Sequence, residues 1–140
     1  MRQAVHTIAT AGPGLYEFTD SVANFVAGGP RGPGLLNLFV QHTSCSLLIQ
    51  ENADADVQRD LRAFMNRLVP DADDLSMAYL RHRSEGPDDM PAHVKAALTQ
   101  THLSIPTKDG QLLLGTWQGI YLWEHRSKPH TRSVVMSLSH

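Results

Sequence analysis

A disulfide framework is excluded, because the 140-residue chain has a single cysteine, Cys45. One thiol without a partner suits a reducing compartment, and a cytoplasmic location is expected. Positive charge is also lacking. Lys and Arg number 12 against 14 Asp and Glu, a formal net charge of -2. A general nucleic-acid binder needs a basic excess to neutralise phosphates, so no nucleic-acid partner is expected. No apolar run approaches the length of a membrane span. The opening MRQAVHTIATAGPG has no apolar h-region, so neither a secretory signal nor a membrane partner is expected.

Hydrophobic residues make up 41% of the chain and charged residues 19%. That composition belongs to a globular domain. The length fits one domain, residues 1–140, able to bury a single core. Eight histidines are the compositional oddity.

Loose alternation over Gln3 to Ala9 predicts a strand, and Ser21 to Val26 a short helix after the capping run Phe18-Thr19-Asp20. Gly28 to Gly34 breaks the chain. Leu35 to Gln41 and Leu47 to Ile49 read as apolar strands. Val57, Leu61, Phe64, Met65 and Leu68 recur at helical spacing, so Asp54 to Leu68 is read as a helix with that apolar face inward. Ala92 to Gln100 is read as a second main helix, with Val94, Ala97 and Leu98 inward. Leu75 to Met90 reads as irregular. Strands are expected over Leu103–Ile105, Gln111–Leu114, Gly119–Glu124 and Arg132–Leu138, with Lys108-Asp109-Gly110 as a turn. The pattern is an α+β domain of mostly antiparallel sheet with two main helices.

Four segments carry polar chemistry. His42-Thr43-Ser44-Cys45-Ser46 ends an apolar strand. Either it is a hydroxyl-capped turn with His42 hydrogen-bonded in place, or His42 ligates a metal and the hydroxyls bind anionic oxygens. Cys45 reads as a small buried side chain. In Glu51-Asn52-Ala53-Asp54, Asn52 or Asp54 serves as a helix cap, whereas Glu51 has no such excuse and is the candidate ligand or general base. His82 and His93 lie eleven positions apart across a Gly-Pro loop carrying Glu85, Asp88 and Asp89. They converge on one ion only if the loop folds back; otherwise this is an exposed acidic loop. In Gly115-Thr116-Trp117-Gln118-Gly119, the glycines signal a bulge or a close approach, and Thr116 and Gln118 offer hydrogen bonds to a ligand. Glu124 and Arg126 would share a strand face as an exposed ion pair. His6, His102, His125, His130 and His140 have no evident companions.

Taken together, FVQHTSCSL, IQENADADVQRDL, YLRHRSEGPDDMPAHVKAAL and DGQLLLGTWQGIYLWEHR resemble, in content and order, the YjbQ-like family. The likeness spans nearly the whole chain. It departs at Cys45, where a small alanine-like residue is expected, at Thr99-Gln100-Thr101-His102, and at Trp123.

The resemblance implies an α+β domain assembling as a homotrimer, with a pocket near the subunit boundaries. It implies a secondary thiamine-phosphate synthase activity, which joins a pyrimidine diphosphate to a thiazole phosphate with loss of diphosphate. The partner would be a phosphorylated small molecule and the cofactor a divalent ion, zinc or magnesium. Carried onto this chain, His42, His82 and His93 would hold the metal. Glu51 and Asp89 would be catalytic, with Asp54 and Glu124 as further acids of undivided role. Thr43, Ser44, Asn52, Thr116 and Gln118 would contact substrate; beyond the carried motif, an enzyme acting on a phosphorylated molecule would also draw on Lys95 and Arg126 as cationic donors to phosphate oxygens. Three imidazoles favour zinc-like ions over magnesium, so a metal-dependent hydrolase of a phosphorylated or ester small molecule stands beside the synthase. A non-catalytic metal- or anion-binding module is the remaining alternative.

Overall fold

Strict alternation sets the strands of the larger sheet. Along Gly34–Val40, Leu36, Leu38 and Val40 point inward while Leu35, Asn37 and Phe39 point outward. His102–Lys108 and His130–Ser139 alternate in the same way. A computed structural model describes residues 1–140. In chain order it contains β1 (Arg2–Thr10), β2 (Gly14–Glu17), α1 (Thr19–Ala27), β3 (Gly34–Val40), β4 (Cys45–Glu51) and α2 (Ala55–Leu68). A 3-10 turn (Leu75–Met77), α3 (Asp89–Leu98), β5 (His102–Lys108), β6 (Gln111–Leu112), β7 (Gln118–Glu124) and β8 (His130–Ser139) complete it.

The strands form a five-stranded sheet, β1-β8-β3-β5-β6, and a three-stranded sheet, β2-β7-β4. Every pairing is antiparallel, which bears out the α+β expectation. The two sheets and α1 enclose the main core, including Leu36, Leu38, Leu47, Ile120, Leu122 and Val134. Each such side chain contributes about 1.5–3 kcal/mol on burial. The three-stranded sheet is covered on its other face as well. There Trp123 packs with Met65 and Val69 at the end of α2 and with Met77. A strand covered on both faces has no polar side to show, so β7 reads as an unbroken apolar run.

Several expectations are borne out. Asp54 caps α2, its side chain accepting from the Asp56 amide at 2.9 Å. Asp109 and Gly110 take positive φ of 54° and 78° in the β5–β6 turn. Gly119 marks a close approach, since a Cβ there would lie 2.7 Å from Glu17 Oε2 and 3.0 Å from Asn52 Cβ. Cys45 is buried in the main core, and burial pushes its thiol up to about 12.

Others are corrected. The four-residue β2 was not anticipated, because its partner β7 lies a hundred positions away and nothing local announces the pairing. The strand expected over Gln111–Leu114 stops at Leu112, and Gly115 to Trp117 form a turn closed by Gln118 N–H to Gly115 O at 3.1 Å. On α2 only Met65 is buried, while Phe64 and Leu68 are 67% and 57% exposed. On α3 the inward face is Asp89, Pro91, Ala92, Lys95 and Ala96. Val94 is half-buried, and Ala97 and Leu98 face out. The helix begins three residues earlier than expected, and its polar anchors, not its largest apolar residues, set its rotation.

The expected exposed Glu124–Arg126 pair is replaced by a buried one. Glu124 has no exposed surface. It is gripped by Arg132 of β8 through two guanidinium nitrogens, with Arg132 Nε at 2.8 Å. Thr10 Oγ1 of β1 donates to it at 2.6 Å, and the amides of His125 and Arg126 at 3.1 and 3.2 Å. Burial alone would raise the Glu124 carboxyl, but Arg132, Thr10 and the Arg126 amide hold it below the ordinary carboxylate range.

Removing one member of a buried charge pair leaves the other uncompensated, so Glu124→Gln is expected to cost about 3–5 kcal/mol in urea unfolding. The carboxyl's contribution is complete above the ordinary carboxylate range and disappears as the pH falls through its lowered folded value. The wild type should therefore lose stability in acid more steeply than the variant. A loss below about 1 kcal/mol would show that the pair is not the anchor described.

Candidate metal centre

The loop after the 3-10 turn folds back, as convergence of the two histidines required. His82 sits on that loop, and His93 lies one helical turn after Asp89 on α3. One ligand atom from each of His82, Glu85, Asp89 and His93 falls within 4.8 Å of all the others. His82 Nε2 donates to Asp89 Oδ2 at 2.7 Å and is 3.3 Å from Glu85 Oε2. His93 Nε2 lies 3.4 Å from the same Asp89 oxygen. The two rings meet edge to face, their centroids 5.7 Å apart.

Asp89 is the buried centre of this group. Its second oxygen accepts from Arg126 Nη1 at 2.7 Å. Arg126 Nε also bonds Asp88 at 2.9 Å, and Nη2 bonds the Glu85 carbonyl at 3.1 Å. Burial works to raise the Asp89 carboxyl. The hydrogen bond from His82 and the charge of Arg126 outweigh it, holding the group ionised and low. The same hydrogen bonds to Asp89 and then Glu85 raise the pKa of the exposed His82.

The tautomer of His93 is fixed. Its Nδ1 is 2.9 Å from the Thr43 carbonyl, which accepts only, so Nδ1 carries the hydrogen. In the neutral ring, Nε2 then presents a lone pair to the Asp89 carboxylate. That juxtaposition is favourable only with a cation between them, whether a proton or a metal. An imidazole oriented through its far nitrogen by a carbonyl is the usual arrangement behind a metal ligand. The donor set of two imidazoles and two carboxylates fits zinc or a similar transition ion better than magnesium.

The remaining sequence candidates distribute as follows. His42 lies outside this donor set, and its Nε2 accepts from the Ser133 amide at 2.8 Å. Burial first, then Arg132, lowers its pKa, so the ring is neutral. His42, Thr43 and His93 line one open cavity of ≈ 290 Å³ with Ala96, Ala97 and Thr101. Ser44 is buried, its hydroxyl accepting from Arg132 at 3.0 Å. Glu51, Asn52, Thr116 and Gln118 gather at the opposite end of the β4–β7 ladder, where Glu51 faces Gln118. Six residue steps of β4 separate that end from Cys45, roughly 20 Å. There the Asn52 amide donates to the Trp117 carbonyl at 3.0 Å, and Trp117 is 63% exposed. Lys95 lies on the inner face of α3 beside Asn66, lining a separate cavity. Sequence reasoning dismissed His125, which is buried 2.9 Å from Ser46 Oγ and against Trp123. It also missed Arg132. Only the pairing of distant strands brings these groups together.

The sequence model of the UPF0047 protein YjbQ-like family matches residues 4–140. A UPF0047 protein of Synechocystis is 47% identical over 98% of this chain and 90% of its own length. The UPF0047 protein YjbQ of Escherichia coli O157:H7 is 39% identical, covering 97% and 96%. Among solved structures, a yjbq/upf0047 family protein of Clostridium acetobutylicum superposes with a TM-score of 0.83 at 30% identity, covering 96% of this chain and 98% of that one. A conserved protein of Thermus thermophilus gives a TM-score of 0.82 at 32% identity, with the same coverage.

If this donor set holds an ion, His82→Ala and His93→Ala are each expected to abolish metal retention while keeping the circular-dichroism spectrum and melting temperature of the wild type. His42→Ala should retain it. Elemental analysis of the purified variants decides this, and full occupancy in either of the first two would remove the assignment.

Proposed function

Since the chain belongs to the UPF0047 protein YjbQ-like family, we propose that it is a metal-dependent enzyme acting on a phosphorylated small molecule. The reaction implied by the family resemblance is the thiamine-phosphate synthase step. There the pyrimidine methylene carbon loses its bond to the diphosphate oxygen, diphosphate departs with the electron pair, and the thiazole nitrogen forms the new C–N bond. The observation that carries the reading is the convergence of ligand atoms from His82, Glu85, Asp89 and His93 within 4.8 Å of one another, with His93 oriented through Nδ1 by the Thr43 carbonyl. A divalent ion there, held by His82, Glu85, Asp89 and His93, would supply Lewis acidity toward phosphate oxygens. His42 and the Thr43 hydroxyl, on the wall of the adjoining cavity, would orient the substrate. Each nitrogen of Arg126 already donates, to Asp88, Asp89 and the Glu85 carbonyl, so its part in this reading is to hold the carboxylates in place.

Glu51, Asn52, Thr116 and Gln118 stand too far along the β4–β7 ladder to reach this centre within one chain. Their proposed part in the site is therefore tied to the proposed homotrimer, in which a neighbouring copy would present them. Metal-dependent hydrolysis is the second reading. The two imidazoles in the donor set favour it, because magnesium prefers oxygen ligands and keeps its waters.

Elemental analysis of fresh protein, with an assay of a pyrimidine diphosphate and a thiazole phosphate under magnesium or zinc, separates these readings. Condensation lost in Asp89→Asn by at least 100-fold supports the synthase, and zinc-dependent ester cleavage supports the hydrolase. Saturable metal binding with no turnover across a panel of phosphorylated metabolites would leave only a binding module. Sedimentation velocity at micromolar concentration tests the assembly, where a monomer would remove any role for Glu51 at this centre.

A further inference from the structure

A lysine is almost never fully buried without a partner of opposite charge. Lys95 is 7% exposed and makes no ion pair. Its Nζ has one protein acceptor, Asn66 Oδ1 at 2.8 Å, so two of its three N–H donors are uncommitted. Those donors face a cavity of ≈ 340 Å³ lined by Asn66, Asp71, Asp88, Lys95, His125 and Ser127.

The lining suits an anion. Asp88 is already neutralised by Arg126 and bonded by the Ser127 amide at 2.9 Å. His125 bonds Ser46 through Nε2, and Nδ1 has no protein partner. Burial, and then the charge of Lys95, drops the His125 pKa to about 3, so the ring is neutral and offers the anion a hydrogen-bonding nitrogen without a charge. An inner recess of ≈ 10 Å³, shared with Lys95 and His125, adds Arg62, whose guanidinium makes no ion pair. The exposed Asp71 is the acid on the lining without an ion pair, and its charge and that of Asp88 favour the ammonium form of Lys95 that burial opposes.

We propose that this cavity is a second binding site, separate from the histidine–carboxylate group, in which Lys95 takes the phosphoryl group of a small phosphate monoester with Ser127 and His125 as flanking hydrogen-bond partners. Asp88 on its lining is linked to Asp89 of the histidine group through ion pairs of both with Arg126. The site does not depend on metal binding, and its occupancy is read without turnover.

The probe is inorganic phosphate, titrated into the full-length protein and followed by calorimetry and by amide shifts. Saturable binding is expected in the wild type and, within about 2-fold, in His93→Ala. At least a 10-fold loss is expected in Lys95→Met, and shifts should cluster at Asn66, Lys95 and Ser127. Those wild-type shifts stand even if Lys95→Met fails to fold. Acetate at equal concentration should displace little phosphate. Absent saturation, shifts centred on Thr43 and His93, unchanged affinity in folded Lys95→Met, or equal displacement by acetate would each overturn the proposal.

Discussion

The bond between Glu124 and Arg132 joins the two sheets at their polar seam. Glu124 ends β7 of the smaller sheet, Arg132 lies on β8 of the larger, and Thr10 of β1 and Ser44 before β4 complete the network. A buried carboxylate is tolerated only when each lone pair finds a donor, and here guanidinium, hydroxyl and two backbone amides provide them. Those amides belong to His125 and Arg126, so satisfying the charge also fixes the path of the chain as it leaves β7.

That path places Arg126 against the start of α3. Its guanidinium spans Asp88, Asp89 and the Glu85 carbonyl, and Asp89 in turn meets His82 and His93. The same turn sets His125 beneath Trp123 and beside the Lys95 cavity. One desolvated ion pair thus orients two polar sites on either side of the α3 N-terminus. Precision of this kind comes from strand ends held by a packed core, the reason sites collect where rigid elements stop.

How far the sequence foretold this depended on range. The apolar run of Leu35 to Gln41 and the periodicity of α2 named real elements, and the Asp54 cap and the Asp109-Gly110 turn needed only neighbouring residues. The grouping of His82, Asp89 and His93 was readable because the loop between them is short and closed by Gly86-Pro87. Glu124 misled because alternate spacing suggested a partner two residues away, while the true one arrives on another strand. His125 offered no companion and Lys95 only its charge, and the burial of both went unread, since a buried polar residue and a surface one look alike in sequence. Phe64 and Leu68 fitted the helical stripe yet stayed outside, because hydrophobic periodicity identifies a helix more securely than it identifies what the helix covers.

The lone thiol has a practical consequence. Cys45 sits inside the main core with its pKa pushed up to about 12, so almost none of it is thiolate near neutrality. A maleimide or nitroxide reagent offered to the folded protein would find a nearly blank background. A cysteine introduced on the α2 surface would then be the selective attachment point for a fluorophore or spin label, with no need to delete the native one.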